Sequence, residues 1–423
     1  MKKIFTILTF LTATSIFATD RFVDPNLSAG NGTTLFTNIT SAVAAAVNGD
    51  RIIVSSNTYN EATLTISKSL KIIPQTAGTT INFNANIIIT GFPGMKLEIL
   101  GFNLGSYSVS SNAITNGSFS NRAKVTIIDC AFTNIDNNTD YYDCELISNI
   151  ISGSATIRYG NIVKNNISTD CVIYKEDSLN QSITDKVLIT NNTIAGRLIY
   201  FNDSYKYLIA NNILYDLIIK RWNPNNNITN SVINNNFIDG AKLNVSRTNV
   251  PYYNLVFSCN KFLGTIAFYS YTWPAYNTDG AQFSNYNSNI FYNDCGQINW
   301  STFCGYTNGG SNLFPNPINQ GFFQWTYNGV DFTSPPPTAS QPLVLTKIIG
   351  PSSHTDGGNP NHDYYDIDLT INDRGITGGP YSQFNYNPSN SNNSKAFIFD
   401  LVIPTDLFPG QSVNISAKGY HKN

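Results

Sequence analysis

Histidine is almost missing from this chain: three in 423 residues, His354, His362 and His421, all late in the sequence. Chemistry built on imidazole therefore has little to draw on. Charge is scarce too. Charged residues make up 12% of the chain and the net charge is −2, so no broad basic face exists to hold a phosphate backbone, and nucleic acid is not an expected partner. The six cysteines (Cys130, Cys144, Cys171, Cys259, Cys295, Cys304) form no Cys-x-x-Cys pair and no Cys/His cluster, which argues against a zinc site. No apolar run after the first 20 residues is long enough to span a bilayer, so no transmembrane segment is expected.

The first residues are different. "MKKIFTILTFLTATSIFATD" opens with two lysines, continues through an apolar stretch too short for a comfortable span, and reaches Ala18 at a cleavage point. That is the pattern of a secretory signal over residues 1–18, cleaved near Ala18. No cysteine follows it to carry a lipid, so the mature chain is expected to be secreted or at the cell surface. Export permits disulfides, and Cys295 with Cys304 is the first candidate pair; Cys130, Cys171 and Cys259 read as small buried apolar fillers.

What the chain has in quantity is asparagine, with Ile, Thr, Ser, Tyr and Phe, a profile for strands and turns. The segment "YLIANNILYDLIIKR" from Tyr207 returns as "VLITNNTIAGRLIYF" from Val187, "SVINNNFIDGAKLNV" from Ser231, "LVFSCNKFLGTIAFY" from Leu255 and "NIVKNNISTDCVIYK" from Asn161. Taking the second polar position as the marker selects Asn166, Asn192, Asn212, Asn236 and Asn260, spaced 20 to 26 residues apart. Periods in the twenties signal a solenoid. Weaker copies place Phe102, Cys130 and Asn289 in the same slot.

Apolar residues alternate before each marker, and another follows it by two, so each frame is a strand with one buried face. A short turn then leads to a second strand, as at Gly196 and Gly240. One coil cannot shield its own inner face. Stacking coils at about 4.8 Å does so and pairs the backbone as well. The markers then superimpose, and each amide donates to and accepts from its neighbours in a buried ladder. The expected fold is all-β: a right-handed parallel β-helix over 19–300 with an N-terminal cap, a loop-rich end over 301–394, and a C-terminal β-hairpin or small β cap over 395–423. A monomer is expected.

The Ala-rich "TSAVAAAV", with Thr40 or Ser41 as cap and "NGD" as its end, reads as a helix, and Ala42 to Val47 is the candidate plug for the open end of the stack. This helix, Gly49-Asp50, "IIV", Tyr59, Glu61 and "LTISKSLKII" together resemble the start of many secreted right-handed parallel β-helix proteins of the pectate-lyase-like superfamily. The resemblance covers roughly residues 38–300 and implies coils with three sheets. "DGGNPNHDYYDIDLTINDRGITGGP" is similar to the closing segment of many bacterial β-helix proteins. Galacturonan hydrolases of the superfamily resemble one another in an NTD, a paired DD, a GHG and a RIK segment. The last three are absent here, and the tripeptide NTD, at 138–140 and 277–279, stands without them. The aspartate segments of pectin methylesterases are missing too.

A polysaccharide lyase needs a cation to acidify the proton beside a uronate carboxylate and a basic side chain to remove it. Lys220, Arg221, Arg197 and Lys206 are the candidates, with Asp170, Asp203 and Asp216 as oxygen ligands; solvated strand edges are the plainer reading of each. Asp366 and Asp368 have oxygen donors suited to Ca²⁺, though D-x-D is a common strand-edge spacing and no other cofactor is expected. Trp222, Trp273, Trp325 and Tyr271 offer flat rings for sugar stacking, against packing within their own loops. Three functions stay open: a non-catalytic binder of a polysaccharide or cell-surface component, a lyase of an acidic glycan, and a structural or adhesive surface protein.

Overall fold

The structure, a computed structural model, describes residues 18–174 apart from 77, 138 and 140, then the strands of later coils up to residue 295, and shorter pieces within 323–348, 358–381 and 397–420. The described chain is a right-handed parallel β-helix. One sheet of thirteen parallel strands takes a single strand from each coil, among them Arg51–Val54, Lys96–Leu100, Tyr142–Ile147, Lys186–Thr190, Lys206–Ala210 and Ser231–Asn234. The second sheet has nineteen strands, two per coil at first, as in Ile81–Phe83 and Ile87–Thr90. In later coils they merge into the nine-residue strands Thr193–Phe201, Ile213–Arg221 and Phe237–Val245. The third sheet that the resemblance implied is thus continuous with the second.

Alternation built these strands. In the first sheet Ile52, Ile72, Leu97, Ile99, Val125, Ile127, Leu146, Ile189, Ile209 and Ile233 all point inward and are buried, forming part of one continuous core. Each such side chain contributes roughly 1.5–3 kcal/mol when removed from water, and only the neighbouring tiers can remove it. Cys130, Cys144 and Cys171 are reduced and buried in the same core, where desolvation pushes each thiol up to about 12. Cys259 and Cys304 lie outside the described residues, and Cys295 closes a short strand.

The N-terminal end is plugged by a helix, Ile39–Ala45, whose Ile39, Ala42 and Val43 join the core. It starts before the expected plug, and its cap is Asn38 rather than Thr40 or Ser41: the Asn38 side chain accepts from the Ser41 N–H at 2.7 Å. Val47, at the other edge of the expected plug, is exposed. The sequence reading lacked a second acceptor. Glu61, a coil away, takes the N–H groups of Ile39 and Thr40 at 2.7 and 2.8 Å, so the first turn is satisfied by a distant carboxylate. Glu61→Ala is expected to lower unfolding stability by about 1–2 kcal/mol, measurable as a drop in the denaturant midpoint. Beyond the solenoid, Phe397–Val402 and Ser416–Tyr420 form the antiparallel pair expected of the tail.

The Asn pairs divide two tasks. Gly101, Asp129, Ser148, Lys164, Asn191, Asn211 and Asn235 occupy the same corner of successive coils with φ between 53° and 72°. Asn tolerates this left-handed conformation because its short side chain bonds locally. The residue after each points inward. Asn149, Asn165, Asn192 and Asn212 each donate both backbone N–H and side-chain Nδ2 to the Oδ1 of the next coil's amide, at 2.9–3.1 Å, which carries the described ladder as far as Asn236. Each Nδ2 also reaches a carbonyl of the preceding coil, as Asn212 reaches Ile189 at 2.7 Å. Cys130 extends the seam, its N–H bonding Asn149 Oδ1 and its Sγ accepting from the Phe102 N–H. Asn166 is not in the ladder. It is the first residue of the strand Asn166–Ile167, and Asn165 holds the seat; Asn260 and Asn289 lie outside the described residues.

Candidate functional site

The corner amides that turn the chain also hold a distant segment. Asn191 Nδ2 donates to the Tyr381 carbonyl at 2.8 Å, Asn211 Nδ2 to Gly378 at 2.7 Å, and Asn235 Nδ2 to Asn372 Oδ1 and the Asp373 carbonyl, both at 2.7 Å. The described residues 372–373 and 378–381 therefore lie across the coils in the order opposite to chain progress, over the first sheet. Outward-facing Leu100, Ile128, Ile147, Val163, Leu188 and Leu208 are buried there, with Tyr381 packed against them. Asp366 shapes this strap by accepting the N–H groups of Asp373 and Gly379, a bracing role for a residue read from sequence as a strand-edge carboxylate with oxygen donors suited to Ca²⁺. Asp368 lies outside the described residues, and among those residues no group of three or more His, Cys, Asp or Glu side chains converges for a metal.

The opposite corner is open. Between the two strand segments of the second sheet, Tyr107, Thr133, Gly153, Thr169 and Gly196 stack through successive tiers, each N–H after that of Tyr107 bonding the carbonyl of the tier before. Tyr215 follows, beside the register shift between Ile194 and Arg197. Tyr107 and Tyr215 are exposed, 38% and 48%, and among the described residues the column between them carries nothing larger than threonine. The strip is roughly 24 Å long at about 4.8 Å per tier. Gly153 and Gly196 are required by the stacking: a Cβ would stand 2.2 Å from Asn134 Oδ1 at the first and 2.5 Å from the Thr169 backbone at the second.

A polar edge runs beside it. Asn134 Oδ1 accepts the Ser154 N–H at 2.8 Å, Ser154 and Thr169 hydroxyls bond at 2.7 Å, and Asp170 takes the Arg197 N–H at 2.9 Å. The Arg197 guanidinium also grips Asp170, Nη2 to Oδ2 at 2.5 Å. Desolvation pushes the Asp170 carboxyl up, but the Arg197 side-chain and backbone hydrogen bonds and its charge outweigh that and hold it below the usual carboxylate range. Asp170 in turn raises the Arg197 guanidinium, chiefly through the side-chain hydrogen bond. Register puts Asp216 opposite Arg197 on the next coil.

The other expected residues are spread out. Lys206 begins a first-sheet strand, whereas Lys220 and Arg221 end a strand of the second sheet, four and five residues beyond the level of Arg197. Asp203, Trp222 and Trp273 lie outside the described residues; Tyr271 sits on Ile266–Thr272 and Trp325 on the antiparallel strand Phe323–Tyr327. Sequence reading missed Tyr107 and Tyr215, because a lone tyrosine near a turn has no signature until register aligns the coils.

These features define the class, a capped parallel β-helix with a strapped face and an open polar corner. Comparison with family models, with curated proteins and with solved structures returns no match. No described helix is long and apolar enough to cross a membrane.

Proposed function

We propose that this is an exported, non-catalytic solenoid of the cell surface or extracellular space that binds a glycan along the corner strip between Tyr107 and Tyr215. The observation that carries this reading is the strip itself: two exposed rings separated by four tiers of glycine and threonine, edged by Asn134, Ser154, Asp170 and Arg197. Rings stack on apolar sugar faces, and the flat run between them gives an extended polymer close access to hydroxyl, amide and ionic partners. Export is supported by the leader-like first 18 residues.

On a glycan array, Tyr107→Ala and Tyr215→Ala should each reduce binding about tenfold without moving the unfolding midpoint, since both rings are exposed; unchanged binding by both variants would refute the strip. The lyase alternative needs a base that sheds its proton near neutrality. Arg197 is instead tied to Asp170 and shifted away from that role. Incubation with uronate polymers is expected to give no rise in the ultraviolet absorbance of unsaturated products.

A further inference from the structure

The first residue after the expected cleavage point is placed against a buried carboxylate. The Thr19 backbone N lies 2.9 Å from Asp50 Oδ1. Its carbonyl accepts the Arg51 N–H at 3.0 Å, and parallel pairing with Arg51–Val54 begins at the very next residue, Asp20. Among the described residues, backbone pairing in the stack therefore starts at Thr19. Asp50 is fully buried, and its other oxygen takes Arg21 Nε at 2.7 Å and the Val47 N–H at 2.9 Å. Burial pushes its carboxyl up, but the Val47 and Thr19 N–H groups and Arg21 together hold it below the usual range.

We propose that cleavage of the Ala18–Thr19 bond creates an α-ammonium at Thr19 that closes an ion pair with Asp50, so that removal of the leader locks the capped end of the solenoid. The proposal rests on the export reading above. A signal peptidase adds water across the amide, leaving a carboxylate on Ala18 and an amine on Thr19. The hydrogen bond to Asp50 then becomes charge-assisted at both ends. An open groove lined by Ala18, Asp20, Gly49, Arg51 and Lys71 gives water access to the remaining ammonium hydrogens.

The surrounding charges are already matched. Arg21 serves Asp50, Arg51 holds Asp20 at 2.8 and 2.6 Å, and Lys71 pairs with Glu98 at 2.6 Å. Asp50 is the carboxylate that the new ammonium touches. It raises the folded pKa of the amine above its ordinary value of about 7.7–8.0. Stability from a raised amine is complete below the unfolded pKa and is lost as pH climbs through the folded one.

The test compares two purified full-length chains, one released from a tag to begin at Thr19 and one that keeps Ala18. At pH 6.5 the first should have a folding constant roughly five- to tenfold larger, and the two should converge by pH 10. Equal stability at both pH values would overturn the ion pair. Asp50→Asn should erase the difference; if that variant does not fold, the pH dependence of the native pair of chains is the readout. Mass spectrometry of protein exported from a bacterial host should find Thr19 first. A different first residue overturns the processing site, and retention of the whole leader overturns export and processing together, whereas the stability comparison depends on Asp50 alone.

Discussion

Replacing Asn212 by alanine should cost roughly 3–5 kcal/mol of unfolding free energy, seen as a large fall in the urea midpoint. Asn212 is fully buried. Its loss strips the Asn192 N–H and Nδ2 of their acceptor and removes a donor from the carbonyls of Ile189 and Ala210. Each buried group left unmatched costs about 1–3 kcal/mol, and no solvent can enter a seam closed by coils on both sides. Asn212→Asp is the sharper probe, because it keeps the shape and the acceptor. An ionised carboxylate cannot donate to Ile189, Ala210 or Asn236, so the variant should be as unstable as the alanine form at neutral pH. Protonation restores one donor. Burial raises the folded pKa of the new acid, so this variant should regain stability as pH falls, opposite to the usual trend for a paired aspartate. A variant indifferent to pH and within 1 kcal/mol of the native chain would mean that the ladder carries little of the stability.

The ladder was legible because its amides recur where apolar alternation would otherwise continue. Asn192, Asn212 and Asn236 were found that way, and Phe102 and Cys130 by extending the frame. Asn166 was misread for a physical reason. In the copies from Val187, Tyr207 and Ser231 the left-handed corner is itself Asn, so the amide after it is the buried one; in "VKNN" Lys164 takes the corner with φ 58°, and the pair is shifted by one. Asn149 escaped because Ser148 holds its corner. The informative unit is therefore a left-handed residue followed by an inward one, and pair counting approximates it only where both are Asn. The strap was half visible: the closing segment stood out by resemblance, but its landing place is set by three corner amides, Asn191, Asn211 and Asn235, to which the sequence reading gave no role of their own. The open corner was visible only as a turn at Gly196. Tyr107, Gly153 and Gly196 come together only through tier-to-tier hydrogen bonds, and the coils between them differ in length.

Gly160→Ala is expected to be at least as damaging, about 4 kcal/mol or more, for a reason that lies in stacking rather than hydrogen-bond chemistry. Gly160 turns into the strand Ile162–Val163 with φ 133°, and a Cβ there would sit 1.9 Å from the Cys144 carbonyl oxygen and 2.7 Å from its nitrogen. These are backbone atoms of the tier below. They cannot step aside without breaking the bonds from the Cys144 N–H to Tyr159 at 2.8 Å and from the Leu146 N–H to Asn161 at 2.8 Å, which join the two tiers. Gly105→Ala supplies the control. Its φ of 59° is also left-handed, but nothing lies within 4 Å of the new methyl group, so only the conformational cost of about 1–2 kcal/mol applies. In a linear stack each tier is held by its neighbours alone, so a breach at Gly160 should separate the molecule's two ends. Hydrogen exchange on Gly160→Ala should show protection retained in Arg51–Val54 and Lys96–Leu100 but lost in Ile162–Val163 and Lys186–Thr190. Uniform loss across all four strands would instead indicate that the solenoid unfolds as one cooperative unit.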